Sequence, residues 1–156
     1  NFELEITETT LMADAKRTVR LLDELYAMGL HLSIDDFGTG YSSLSALQQF
    51  PIGTLKVDQS FVRDVGDDES DATIVRTIID MGRSLGMDVV AEGIESTTHL
   101  SFLRAHHCPF GQGRLFGEPC TLEELRLLLE RQRLSGPAFG HLTNELRIAG
   151  MSQKIS

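Results

Sequence analysis

The 156 residues suffice for one domain with a sizeable core, and 41% apolar with 24% charged residues describes a globular chain. A net charge of −9 excludes a broad basic surface for a nucleic-acid polymer, although bound divalent cations can reverse the local field and admit a phosphate ligand. No stretch reaches the roughly 20 apolar residues of a membrane span, and Cys108 and Cys120 fit neither a zinc pattern nor a disulfide framework, as expected of reduced thiols in a cytosolic protein.

The chain opens in "FELEIT" (2–7), a strand with Phe2, Leu4 and Ile6 on one face and Glu3, Glu5 and Thr7 on the other. It starts inside this strand, with no initiator Met and no basic n-region, so the expectation is a segment of a longer protein. Residues 14–28 follow as an amphipathic helix, with Val19, Leu22, Leu25 and Tyr26 on one face and Gly29 as C-cap. "LHLSID" (30–35) is a second strand, 42–49 a short helix stopped by Pro51, and "TLKVD" (54–58) a third strand. Residues 70–85 read as a helix with Ile74, Ile78, Ile79 and Leu85 inward, closed by Gly86. A fourth strand, "DVVAE" (88–92), leads to a Thr-capped helix at 97–106. A short fifth strand lies within 108–116, and a capping box of Thr121 and Glu124 starts a helix at 121–134. The weakly patterned tail reads as a linker or partly ordered extension, giving a division into 1–132 and 133–156.

Alternating strands and helices imply parallel strands with helical crossovers, which a doubly wound sheet and a (β/α) barrel both satisfy. The polar residues favour the barrel. Glu5, Asp35, Asp58, Glu92 and Gln112 each fall at or near the C-terminal end of a strand, the face that carries chemistry in barrels. No G-x-G-x-x-G or P-loop is present to suggest the alternative. The expectation is therefore a partial TIM-type barrel with about five of eight strands, since a whole barrel needs about 250 residues. Alone, such a segment would expose two sheet edges.

Carboxylates at these strand ends suit hard cations such as Mg²⁺ or Mn²⁺. Asp35 and Asp36 are adjacent like charges, tolerable where a pair of metal ions about 3.5–4 Å apart supplies positive charge; an N-cap with a turn aspartate fits the same spacing. Such a centre generates hydroxide near neutral pH and stabilises both oxygens of an in-line displacement at phosphorus. Lys56 shares a strand face with Asp58, either to orient a water or balance charge, or as a buried salt bridge to Asp35 or Asp58. Gly38 and Gly40 let "FGTGYSS" fold back sharply, where Thr39, Ser42 and Ser43 can bond carboxylates or phosphate or simply cap a turn. Glu3 reads as structural or solvated, and His31, His99, His106, His107 and His141 follow no ligand spacing.

Five stretches, "ELEITE" (3–8), "DDFGTGYSSL" (35–44), "LKVDQSF" (55–61), "VVAEGIE" (89–95) and "GQGRLFGEP" (111–119), occur in order and at intervals that resemble the C-terminal two thirds of an EAL domain, the bacterial phosphodiesterase of cyclic di-GMP. The resemblance covers about residues 1–132. It implies hydrolysis of one phosphodiester to give linear pGpG, with Mg²⁺ or Mn²⁺ in a two-metal site and inhibition by Ca²⁺. It implies that Glu5, Asp35 and Asp36 bind metal, Asp35 bridging two ions. It implies that Lys56 lies near the nucleophilic water, that Glu92 acts as general base or second-metal ligand, and that Gln112 belongs to the site. By the same resemblance Glu8 anchors the DDFGTG loop and links it to a homodimer interface, while Glu95 supports its own loop. GGDEF, PAS or receiver domains commonly precede the EAL unit.

Two departures stand out. The signature Glu-Ala-Leu and a strand-end Asn, both metal ligands in the family, would lie upstream of Asn1, so the chain alone is expected to be inactive. Arg114 stands where the family usually has an aromatic residue. A non-catalytic cyclic di-GMP receptor is the rival reading. A different metal-dependent barrel, such as a glycerophosphodiesterase, fits the carboxylates but not "DDFGTGYSSL".

Overall fold

The structure is a computed structural model describing residues 3–12, 15–40, 44–135, 146–147 and 152–154. Phe2, Ser42, Ser43 and His141 lie outside the described residues. The first strand, β1 (Glu3–Thr7), leads through α1 (Glu8–Met12) and α2 (Ala15–Ala27) to β2 (His31–Phe37). The chain continues with α3 (Leu44–Leu47), β3 (Thr54–Val57), α4 (Gln59–Arg63), α5 (Glu69–Leu85) and β4 (Asp88–Ala91). It ends with α6 (Thr97–Ala105), β5 (Phe110–Gly111), α7 (Leu122–Ser135) and two short strands, β6 (Leu146–Arg147) and β7 (Ser152–Lys154).

Strands β1 to β5 are parallel and lie side by side in chain order. A doubly wound sheet reverses its order at a switch point; this sheet does not, and so has the topology of a (β/α) barrel segment. The fifth parallel strand is followed by an antiparallel hairpin, with β7 paired to β5 and β6 to β7. β7 covers β5, so the second edge of the sheet moves outward: among the described residues β1 and β6 each lack a neighbour on one side, and two edges remain as expected. The tail lacks period-2 patterning long enough to announce strands of two and three residues.

Helix ends follow local chemistry. Asp68 caps α5 by accepting from Ser70 N at 2.7 Å and Asp71 N at 3.4 Å, and Gly86 closes it in the left-handed region at φ 72°. The cap of α6 is Ser96, which accepts from His99 N at 3.2 Å, not a threonine. Thr121 and Glu124 form a reciprocal capping box, with Thr121 N donating to Glu124 at 2.8 Å and Glu124 N to Thr121 Oγ1 at 3.3 Å. Two helices escaped the sequence reading, α1 and α4. Each has five residues, too short to show a 3.6-residue period.

One sheet face, with Leu32, Ile34, Leu55, Val57, Val89 and Ala91, joins the core with Leu22, Leu47, Val62, Val75, Ile78, Ile79, Leu100 and Leu103 from the helices. Helix α5 comes close because Gly82 has no side chain: a Cβ there would overlap Val89 Cγ2 and lie 3.6 Å from Leu55 Cδ1. Two helix-face expectations change. Tyr26 is exposed, not buried beside Leu22, and in α5 Val75 is buried while Ile74 and Leu85 are only partly so. Cys108 is fully buried, its thiol directed at the carbonyls of Val89 and Phe110, and burial pushes it up to about 12; Cys120 is exposed. No helix among the described residues is long and apolar enough to cross a membrane. The opposite sheet face, alternating with the core residues, carries Glu5, Ser33, Asp35, Thr54 and Lys56.

Candidate active site

Parallel register sets Glu5 level with Ser33 and Thr7 level with Asp35, and Lys56 level with Val90. Three acidic groups, from β1, β2 and the residue just after β4, meet on one ammonium. Lys56 Nζ lies 2.9 Å from Glu5 Oε1, 3.3 Å from Asp35 Oδ1 and 2.7 Å from Glu92 Oε1. The side chains are 8% exposed for Lys56, 19% for Glu92, 26% for Asp35 and 47% for Glu5, so the cluster opens to solvent on the Glu5 side. Burial alone would lower the Lys56 pKa; hydrogen bonds and charge from Glu92 and Glu5 overcome it and hold the ammonium well above the usual lysine range. Burial raises the carboxyl of Glu92, Lys56 opposes that, and the charges of Asp35 and Glu5 add to it. Of the two partners spacing suggested for Lys56, Asp35 is one and Asp58 is not.

A bulge between Ile34 and Phe37 separates the paired aspartates. Asp35 faces Lys56, whereas Asp36 takes φ 53°, a left-handed conformation an aspartate tolerates better than most residues. Burial, the charge of Asp35 and a hydrogen bond to Asp58 raise the Asp36 carboxyl. Burial also pulls Asp58 upward, but hydrogen bonds from the side chain and backbone of Ser60 and from Asp36 hold it low. Asp58 is thus the N-cap of α4, accepting from Ser60 N at 2.9 Å and from Ser60 Oγ.

The loop after β2 hangs on Glu8. This buried carboxylate accepts from Gly38 N at 3.0 Å and Gly40 N at 3.1 Å through the same oxygen. A Cβ on Gly40 would come within 2.9 Å of Glu8 Cδ, so glycine permits the approach. Thr39 Oγ1 donates to the carbonyl of Asp36 at 2.9 Å and closes the turn. Glu8→Ala is expected to strip both amides of their partner and to speed hydrogen exchange of Gly38 and Gly40 by at least about tenfold, given that hydrogen bonds to a charged group contribute about 1.5–3 kcal/mol. NMR exchange on the two glycine amides checks this; unchanged rates would show that the loop holds itself.

On the far side, Gln112 donates its backbone N–H to the carbonyl of Ala91 at 2.8 Å and sits beside the end of β4. Glu95 is exposed; its N–H donates to His99 Nδ1 at 3.4 Å, and its carboxylate meets Arg114 at 3.4 Å. The Arg114 guanidinium also lies 3.7 Å from Glu118. Sequence reasoning passed over Ser33, which is fully buried on the Glu5 face with a hydroxyl lacking a hydrogen-bond partner among the described residues. A lone serine in an apolar strand gives no such signal.

Among the described residues no group of three or more His, Cys, Asp or Glu side chains is arranged to hold a metal ion. The ammonium of Lys56 stands among the three carboxylates. By chemistry the donors are anionic and all oxygen, the kind a hard divalent cation takes.

The chain belongs to the EAL domain family, whose family model matches residues 1–119. It is 47% identical over 131 residues to the cyclic di-GMP phosphodiesterase NbdA of Pseudomonas aeruginosa, covering 84% of this chain and 17% of NbdA. The solved PaMucR phosphodiesterase in complex with c-di-GMP is 45% identical and superposes with a TM-score of 0.77, covering 79% of this chain and 50% of that one. Klebsiella pneumoniae BlrP1, solved as a manganese complex with cy-diGMP, is 36% identical with a TM-score of 0.70, covering 76% of this chain and 30% of BlrP1. The chain therefore spans half or less of the length of these relatives, and its fold is part of an EAL-type TIM barrel.

Proposed function

We propose that this chain carries the rim of a cyclic di-GMP phosphodiesterase and contributes most of its metal- and water-handling side chains. The observation that carries the reading is the convergence of Glu5, Asp35 and Glu92, from β1, β2 and the residue just after β4, on Lys56 at the C-terminal ends of a parallel sheet. Support comes from the family match and from relatives named for this activity or solved with the dinucleotide.

Glu5, Asp35, Asp36 and Glu92 would hold Mg²⁺ or Mn²⁺, which when bound supply hydroxide near neutral pH and charge for the phosphoryl oxygens. Glu92, half-buried and held above the usual carboxylate range, is suited to accept a proton from the attacking water. Lys56 keeps its proton throughout the neutral range and balances the carboxylates while orienting that water. Asp58 fixes the start of α4 and keeps Asp36 in place. Glu8 ties the site to the loop at 36–40, on which a homodimer contact would bear. Glu95 and Gln112 hold the opposite rim.

The reading includes a cytoplasmic setting and upstream GGDEF, PAS or receiver domains in the parent protein. The EAL glutamate and the strand-end asparagine, further ligands by resemblance, are not in this sequence, so the chain by itself is expected to turn over nothing. The test is release of pGpG from cyclic di-GMP by a complete EAL barrel containing this segment, with Mn²⁺ supplied. Tight binding of the dinucleotide without pGpG would support the receptor reading instead, and hydrolysis of glycerophosphodiesters alone would overturn both.

A further inference from the structure

We infer that Gly93 and Gly113 are positioning residues for Glu92, two side-chain-free contacts that grip the backbone behind this carboxylate from opposite sides. The inference rests on the proposed role of Glu92 in binding metal and accepting a proton.

Glu92 lies just past the end of β4, where ladder pairing stops. Its backbone is nevertheless held on both flanks. Glu92 N donates to the carbonyl of Val57 at 3.2 Å; Ile94 N donates to Gln112 at 3.0 Å, and Leu115 N returns to Ile94 at 2.9 Å. The 112–116 turn thus crosses over Ile94, and at the crossing stands Gly113. A Cβ there would overlap the N and O of Ile94 and lie 2.6 Å from its carbonyl carbon. These are backbone atoms of a fully buried residue, and they cannot swing aside without losing the two hydrogen bonds. Gly113 does not have positive φ, so contact, not backbone conformation, demands glycine.

Gly93 makes the matching contact on the other side. A Cβ there would lie 2.6 Å from Cβ and 3.3 Å from Cα of Gln59, at the start of α4, and φ is 69°. The segment behind Glu92 is therefore wedged between α4 and the turn after β5. Catalytic groups must be held within about 0.5 Å, and a 1 Å misplacement can cost about 10²-fold in rate, so a grip one residue from the carboxylate sets its reach toward Lys56 and a bound cation. The exposed Arg114–Glu95 ion pair spans the same two loops from outside, where such pairs contribute little.

The experiment compares the full chain with Gly113→Ala, Gly93→Ala and the double variant Gly93→Ala with Gln59→Gly. Hydrogen exchange by mass spectrometry is read over 92–95, with 32–34 and 55–57 as the reference, and Mn²⁺ affinity by paramagnetic resonance. Gly113→Ala is expected to speed exchange over 92–95 and to weaken Mn²⁺ binding, each by about tenfold, while the reference amides hold. Unchanged exchange over 92–95 overturns the inference. Should Gly113→Ala lose the reference protection as well, Gly93 decides. Removing the Gln59 side chain must restore part of the protection that Gly93→Ala loses, the remainder being the strain of alanine at φ 69°, and no restoration overturns the proposal. Mn²⁺ affinity is read in a complete EAL barrel containing this segment, where failure of the unaltered protein to bind Mn²⁺ would count against the metal reading of the site, while the exchange comparison still judges the grip.

Discussion

Glu92→Gln in a complete EAL barrel containing this segment is expected to lower kcat for cyclic di-GMP by about 10²-fold or more, with a much smaller change in dinucleotide binding. The substitution keeps size and hydrogen-bonding reach but removes both the negative charge and the ability to take a proton. Glu92 is the least exposed of the three carboxylates on Lys56 and makes its shortest contact, at 2.7 Å. Its raised pKa places it nearer to working pH than an ordinary glutamate. Steady-state rates of pGpG formation with saturating Mn²⁺ measure the effect. Near-normal turnover would take Glu92 out of the chemistry and leave it as a counter-charge for Lys56.

The second large effect concerns stability. Lys56→Met leaves Glu92, Asp35 and Glu5 without their shared cation, and breaking a buried pair by removing one partner costs about 3–5 kcal/mol. Because Glu5 is half-exposed, the low end, about 3 kcal/mol at pH 8, is the expectation. The pH dependence follows from the shifts. The folded lysine pKa is raised, so its stabilisation is fully present below the ordinary lysine range and disappears only above it. The folded Glu92 pKa is also raised. The folded state therefore holds that proton more tightly, and stability falls as pH rises through the ordinary carboxylate range. Without Lys56 this penalty grows. The difference between Lys56→Met and the unaltered chain should thus be largest at pH 7–8 and shrink toward pH 4, where protonated carboxyls need no counter-charge. Urea unfolding at a series of pH values reads it directly, and a difference independent of pH would mean the carboxylates are not what Lys56 serves.

Much of this cluster was legible because strand ends advertise it. Glu5, Asp35 and Glu92 are acidic residues closing apolar runs, and alternation with Leu32, Ile34, Leu55 and Val89 settles which face they take. Lys56 was ambiguous, since spacing admits several partners; its neighbours in space come from strands 21 or more residues away in sequence. Helices α5, α6 and α7 announce themselves through caps, whereas α1 and α4 are single turns with nothing periodic to read. Asp36 could not be placed, because the bulge that turns it toward Asp58 depends on the shift in pairing between β2 and β3. Nor could Gly113 be told from any other glycine, since its need for no side chain arises from a crossing with Ile94, 19 positions back in the sequence.

The two thiols stand at opposite extremes, which gives the chain a built-in handle and a built-in clock. Alkylation requires thiolate, and burial, which pushes the Cys108 thiol up to about 12, leaves it far less of that form than an ordinary cysteine. A maleimide dye added to the native protein therefore decorates Cys120 and spares its sibling. Once the exposed position is blocked, the slow modification that remains times how often β4 and β5 part, because Cys108 can meet a reagent only when the carbonyls of Val89 and Phe110 release it.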